Sequence, residues 1–106
     1  MQIVEDWEQF DALQREVLRY LIESIHQSLV DAHVPPETVP DLLAEIMFTV
    51  CTTVDGSSVM RRGDRRILPF LTFENPPREK LISSGNGSWM HELVHEAVEK
   101  HLMAKR

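Results

Sequence analysis

The chain has 106 residues, of which 42% are hydrophobic and 26% are charged, and its formal net charge is -6. These values predict one small globular domain over residues 1–106 and exclude both a repeat array and a wholly disordered chain. No apolar run approaches the roughly 18 residues of a membrane-spanning helix, and the first residues lack the basic and apolar parts of a secretion signal. We therefore expect a cytoplasmic protein without a membrane partner.

Charge is divided unevenly along the chain. Residues 1–60 carry eleven acidic and two basic side chains, whereas residues 61–106 carry nine basic and six acidic ones. An acidic part and a basic part of one chain can attract each other, within a fold or between subunits. The negative total argues against nucleic acid as a partner and favours a homo-oligomer or another protein.

A long amphipathic helix is predicted for the first segment. Asp6 is a suitable N-cap, and apolar residues recur every three or four positions from Trp7 to Leu29. A helix over about residues 7–32 would be roughly 39 Å long, which is long for a domain of this size. One of its ends is therefore expected to overhang the core or to pack on a second subunit.

A second helix is predicted to follow in the opposite direction. Pro35 and Pro36 end the first helix, and Pro40 is well placed in the first turn of the next one. The apolar stripe of this second helix continues to Asp55, after which Gly56 can adopt the left-handed conformation that ends a helix. The two helices should form an antiparallel pair.

The following segment has the features of a β-hairpin. Gly63 lies at its tip, and residues 67–73 form an apolar β segment. Pro69 has no N–H to donate, so this strand should lie at an edge or be bulged there. Alternation places Leu68 and Phe70 on a second apolar face, which could meet a partner.

The chain is expected to end in a short strand and a third helix. Leu81–Ser83 is the predicted strand, Ser88 is the predicted N-cap, and the helix should run from Trp89 to about Ala104. The predicted fold class is therefore α+β, with two antiparallel helices, a β-hairpin or small antiparallel sheet, and a C-terminal helix.

The last predicted helix contains an HExxH motif formed by His91, Glu92 and His95, and His101 lies ten residues after His91. In zinc hydrolases with this motif, the two histidines project from one helical face toward one metal ion, and the glutamate is the general base for a zinc-bound water. The segment resembles the metzincin pattern of histidines. This resemblance implies His91 and His95 as zinc ligands and Glu92 as the catalytic residue.

Three features count against a complete zinc site. Val98 stands where the metzincin pattern has a glycine, so the helix should continue instead of turning. On a continuous helix, His101 lies about 12 Å along the axis from the other two histidines and cannot share their metal. Cys51 would be the third ligand in a deformylase-like arrangement, but the other motifs of that family are absent. Ordinary histidines at a helix edge are the alternative.

The hairpin tip is the one compact basic feature of the sequence. It carries Arg61, Arg62, Arg65 and Arg66 around a single acidic residue, Asp64. Arginine side chains match the geometry of phosphates and carboxylates, so the tip could bind an anion, a nucleic-acid backbone or an acidic partner. A solvated turn that protects sheet edges from aggregation is the alternative.

These observations lead to three functional hypotheses. We favour a small noncatalytic interaction protein that self-associates, which means that it is not an enzyme and needs no cofactor. The alternative is a small zinc-dependent hydrolase that uses the HExxH segment. The third hypothesis is the binding of an anion or nucleic acid by the arginine-rich hairpin tip.

Overall fold

The computed structural model describes residues 2–75 and 79–105, which form three helices and five short strands. In chain order the elements are β1 Gln2–Glu5, α1 Trp7–Asp31, α2 Val39–Val54, β2 Met60–Arg62, β3 Arg65–Ile67, β4 Phe73–Asn75, β5 Lys80–Ser83 and α3 Met90–Ala104. The α+β class is therefore confirmed, with two helices, then a hairpin, then a C-terminal helix.

The core lies where the three helices meet. The short segment 32–38 joins α1 to α2, so these helices pack side by side in opposite directions, as expected. The N-terminal turns of α3 pack on both helices. The buried members of this core are Leu18, Ile22, Leu43, Met47, Cys51, Met90, Val94 and Val98.

The buried stripe of α1 is displaced from the expected one. Its fully buried positions are four residues apart and include Phe10 and Gln14, whereas Leu13 is only half-buried and Trp7 is 60% exposed. The ring of Phe10 packs against that of Trp89, with the centroids 5.7 Å apart. Contacts with the start of α3 thus select which side of α1 faces inward.

A three-stranded sheet covers the N-terminal end of α1. Its central strand is β5, which pairs antiparallel with β4 and parallel with β1. The Phe10 and Phe73 rings lie 5.1 Å apart, so β4 packs directly on α1. Strand β1 was not expected. Its four residues lack a periodic pattern of their own, and they pair with residues 80–83, which are far away in sequence.

The ends of α1 and α2 follow the sequence expectations. The Asp6 carboxylate accepts a hydrogen bond from the Gln9 N–H at 3.0 Å, which caps α1. After α2, Gly56 has a φ of +75°. The N–H of Gly56 donates to Thr53 and that of Ser57 donates to Thr52, which is the hydrogen-bond pattern of a Schellman motif.

Two local expectations were wrong. The apolar β segment 67–73 is interrupted, because strand pairing ends at Ile67 and resumes at Phe73, on either side of Pro69. Ser88 is not the N-cap of α3. Trp89 occupies that position and makes no side-chain capping bond, so the cap must come from elsewhere in the fold.

Candidate functional site

Asp55, just after α2, provides the missing cap of α3. Its Oδ2 atom accepts a hydrogen bond of 2.6 Å from the backbone N–H of His91. Its Oδ1 atom accepts one of 2.5 Å from the Ser88 hydroxyl. The carboxylate is fully buried, and an acidic group at a helix N-terminus also interacts favourably with the helix dipole. Asp55 therefore fixes the start of α3 to the end of α2.

The same carboxylate orients the first histidine of the HExxH motif. Nδ1 of His91 lies 2.6 Å from Oδ2 of Asp55, so this nitrogen donates its hydrogen to the carboxylate and the contact fixes the orientation of the ring. Histidines held by a carboxylate in this way serve as metal ligands or general bases in many enzymes. The Ser57 hydroxyl also lies near Nδ1, at 3.3 Å. It does not face Nε2, so the three residues do not form a Ser-His-Asp triad.

The other two residues of the motif lie on the surface. His95 is exposed and its ring stacks on that of Phe48, with the centroids 6.0 Å apart and an interplanar angle of 26°. Glu92 is also exposed. A contact between α2 and α3 is thus what positions His95.

The described part of the chain offers no third protein ligand for a zinc centre at this motif. Among residues 2–75 and 79–105, no group of three or more His, Cys, Asp or Glu side chains could hold a metal ion. Cys51 is fully buried, and burial together with the charge of Asp55 raises the pKa of its thiol to about 12. A thiol with this pKa is a poor source of the thiolate that binds zinc. His91 and His95 alone would leave most of the coordination to water.

His101 takes part in a different contact. Its Nε2 atom lies 2.6 Å from Nδ1 of His26 on α1, and the two rings meet edge to face. As expected, α3 continues through His101, which carries this histidine away from the HExxH motif. His26 is half-buried, because α3 packs against it.

Two cavities of about 380 and 450 Å³ lie near the helices. The first is a groove between α1 and α3 with an apolar floor that includes Leu18 and Ile22, and the second lies at the C-terminal end of α1. None of the three residues of the HExxH motif lines either of these cavities. The motif residues therefore lie outside both cavities, although their neighbours Leu93 and Glu96 line the first one.

The arginine-rich hairpin has an unusual register. Arg61 lies opposite Arg66, and Arg62 lies opposite Arg65, so both cross-strand pairs bring like charges together. Directly opposed like charges destabilise a strand pair. Within the described residues, no ion pair involves any of these four arginines. Within the described residues, the charge of these arginines is therefore screened by solvent.

Apolar side chains surround the four arginines. Every residue from 61 to 68 is exposed. The exposed fractions of the large apolar residues in and beside the hairpin are 66% for Val59, 47% for Ile67, 60% for Leu68 and 55% for Phe70. Leu68 and Phe70, which were expected on a second apolar face, are both exposed, but they lie in the interruption between β3 and β4 and not on a continuous strand. The hairpin therefore combines positive charge that has no ion pair among residues 2–75 and 79–105 with exposed apolar surface.

Comparisons with known proteins do not add to this description. No protein-family model, no curated protein and no solved structure matches the chain. Among the helices in residues 2–75 and 79–105, none combines the length and apolar character required to cross a bilayer.

Proposed function

We propose that this protein is a noncatalytic interaction protein that self-associates through the β2–β3 hairpin. The observation that carries the proposal is the hairpin register, which opposes arginine with arginine twice and leaves all four without an ion pair in the described part of the chain. An acidic surface that covers the hairpin would relieve this repulsion. The negative net charge of -6 means that a second copy of the chain can offer such a surface.

The apolar residues beside the arginines support a protein as the partner. Leu68 and Phe70 are exposed, and burial of such side chains contributes about 1.5–3 kcal/mol each relative to exposure. A nucleic-acid backbone would use the arginines but would leave these side chains in water. Interfaces between proteins, in contrast, are enriched in aromatic residues and arginine at their centres.

Sedimentation velocity at micromolar concentration tests the proposal. The wild-type chain should sediment with a mass near twice 12.3 kDa. The variant Arg61→Glu/Arg65→Glu should be monomeric. It replaces each cross-strand Arg–Arg pair by an Arg–Glu pair, so the hairpin itself should become more stable. Loss of association then cannot be ascribed to loss of the hairpin.

A matched control uses two exposed arginines of α1. The variant Arg15→Glu/Arg19→Glu changes the net charge by the same amount and should remain dimeric. A monomeric wild-type chain, or equal association of the wild-type and hairpin variants, would overturn the proposal. Salt-sensitive binding of a labelled oligonucleotide to a monomeric wild-type chain would favour nucleic-acid binding by the hairpin instead.

A further inference from the structure

We infer that the hairpin of one copy docks on a surface formed by α2 and α3 of a second copy, an inference that rests on the self-association proposed above. This receiving surface, here called the acidic face, is centred on two stacked rings and framed by four carboxylates. Its members are Asp41, Glu45 and Phe48 of α2 and Glu92, His95 and Glu99 of α3.

Helical spacing places these residues together. Asp41, Glu45 and Phe48 are separated by four and three residues, so they share one side of α2. On α3, Glu92, His95 and Glu99 are spaced in the same way. Helices α2 and α3 run in opposite directions. Asp55, just after the end of α2, accepts a hydrogen bond from the first turn of α3, and the start of α2 and the end of α3 line the same cavity. The stacked Phe48 and His95 rings join the two stripes.

The charge of this face is complementary to that of the hairpin. Its four acidic residues are exposed, and none forms an ion pair within residues 2–75 and 79–105. Helix α2 contains no lysine or arginine. On α3, Lys100 follows Glu99 directly in sequence. Its side chain forms an ion pair with Glu96 instead and lines the groove between α1 and α3. The cross-strand pairs Arg61–Arg66 and Arg62–Arg65 project from opposite faces of the two-stranded hairpin. One of these pairs can therefore meet carboxylates of the acidic face directly, with paired hydrogen bonds for each guanidinium.

The acidic face and the hairpin also both expose apolar side chains that can pack against each other. Phe48 is 43% exposed at the centre of the acidic face, although it is a large aromatic residue. Leu68 and Phe70 are exposed at the base of the hairpin. Contacts between them would give a central apolar cluster with a charged rim, which is the usual organisation of a protein interface.

The position of the hairpin suits a closed dimer. Phe48 lies seven residues before Asp55, or about 10 Å along α2, and the hairpin starts shortly after Asp55. Each copy thus carries its hairpin beyond the C-terminal end of α2 and the centre of its acidic face about 10 Å from that end, while Asp41 lies at the other end of the helix. A twofold axis through this region lets each copy contribute one hairpin and receive another, which closes the assembly at two subunits.

Charge reversal on both surfaces tests this arrangement. The hairpin variant carries Arg61→Glu, Arg62→Glu, Arg65→Glu and Arg66→Glu. The face variant carries Asp41→Lys, Glu45→Lys, Glu92→Lys and Glu99→Lys. Circular dichroism and thermal melts first establish that both fold. Each variant alone should then be monomeric, with a dissociation constant raised at least about ten-fold.

An equimolar mixture of the two variants should restore the dimer. In the mixed dimer, an acidic hairpin meets a basic face at one contact and a basic hairpin meets an acidic face at the other, so both contacts are complementary. Sedimentation velocity of the mixture should therefore show a mass near twice 12.3 kDa. A mixture that remains monomeric overturns the inference.

A control and an uncharged variant complete the experiment. Reversal of four α1 carboxylates, Glu8→Lys, Glu16→Lys, Glu23→Lys and Asp31→Lys, should leave the dimer intact, and loss of the dimer there would contradict the inference. Phe48→Ala tests the same face without a charge change and should weaken association at least about ten-fold. Unchanged association of the Phe48 variant would also contradict it.

The two proposals fail in different ways. If the hairpin variant still dimerises, the proposed function is wrong. The assignment of the acidic face as the docking surface for the hairpin is then wrong as well. If the hairpin variant is monomeric but the face variant still dimerises, self-association through the hairpin survives. In that case only the assignment of the acidic face is overturned.

Discussion

The Nδ1 atom of His26 on α1 lies 2.6 Å from the Nε2 atom of His101 on α3. A contact this short requires one nitrogen to carry a hydrogen and the other to accept it. When both rings are protonated, neither nitrogen can accept, and two positive charges face each other. The contact between the C-terminal parts of α1 and α3 is therefore sensitive to pH.

The environment of the pair determines the direction of this effect. Burial lowers the pKa of His101 from 6.5, and the charges of His26 and Lys105 lower it further, while Glu23 acts in the opposite direction. As pH falls through 6.5, the unfolded chain therefore binds a proton before the folded chain does. This contribution to stability is present above pH 6.5 and is lost as pH falls toward the folded pKa of His101.

Urea unfolding at about pH 7.5 and about pH 5.5 measures the contribution of the pair. The wild-type chain should lose more free energy of unfolding between these conditions than the variant His101→Gln. At the higher pH, His101→Gln should cost about 0.5–1.5 kcal/mol, the usual value for one hydrogen bond. The exposed His33→Gln variant is the control and should keep the wild-type dependence. Equal dependence in wild type and His101→Gln would refute the prediction.

Removal of the Asp55 carboxylate should destabilise the protein strongly. Asp55→Ala removes the hydrogen bonds to the Ser88 hydroxyl and to the backbone and ring of His91. Loss of a helix cap and of buried charge-assisted bonds should cost about 2–3 kcal/mol. Urea unfolding followed by circular dichroism measures the change. The exposed Asp64→Ala variant should differ from wild type by less than about 0.5 kcal/mol, and a similar small effect at Asp55 would contradict its role as a cap.

Gln14 provides a second polar link between α1 and α3. Its side chain is fully buried, and its Oε1 atom accepts a hydrogen bond from the Trp89 N–H at 3.1 Å. Gln14→Leu keeps a similar volume but leaves that N–H without its acceptor, which should cost about 1–3 kcal/mol in the free energy of unfolding. Gln9→Leu, at an exposed position of the same helix, is the matched control. If both variants unfold at the same urea concentration, the hydrogen bond does not contribute as described.

The HExxH motif makes a clear prediction about zinc. Because the described residues provide no third ligand, the chain purified without a histidine tag should contain no stoichiometric zinc, and a chelator should not change its thermal stability. His95→Ala should change the free energy of unfolding by less than about 0.5 kcal/mol, whereas His91→Ala should cost about 1–2 kcal/mol because Asp55 loses a partner. Stoichiometric zinc that disappears in His95→Ala would instead favour the zinc hydrolase.

Local signals in the sequence were sufficient for the helices. Asp6 caps α1 and Gly56 ends α2 as expected, because both interactions involve residues only a few positions apart. The hairpin around Gly63 was predictable for the same reason. Strand β1 was not, because it pairs with β5, nearly eighty residues away, and its own four residues carry no pattern.

The site was less predictable than the fold. The motif identified His91 and His95, but the residues that decide their chemistry lie on another helix. Asp55 reaches His91 across 36 positions, and Phe48 stacks on His95. His26 is engaged by His101 across 75 positions. A single sequence gives no indication of such pairs, because they depend on how the helices pack and not on spacing within one helix.

The sequence by itself determined the order and type of most elements and the concentration of positive charge at the hairpin tip, since these follow from short-range periodicity and composition. Tertiary structure alone decided what the histidines contact, that Asp55 caps α3, and that the four arginines lie opposite one another in pairs. The physical reason is that hydrogen bonds and charge pairs act over a few ångströms in space, and only the packed chain sets those distances.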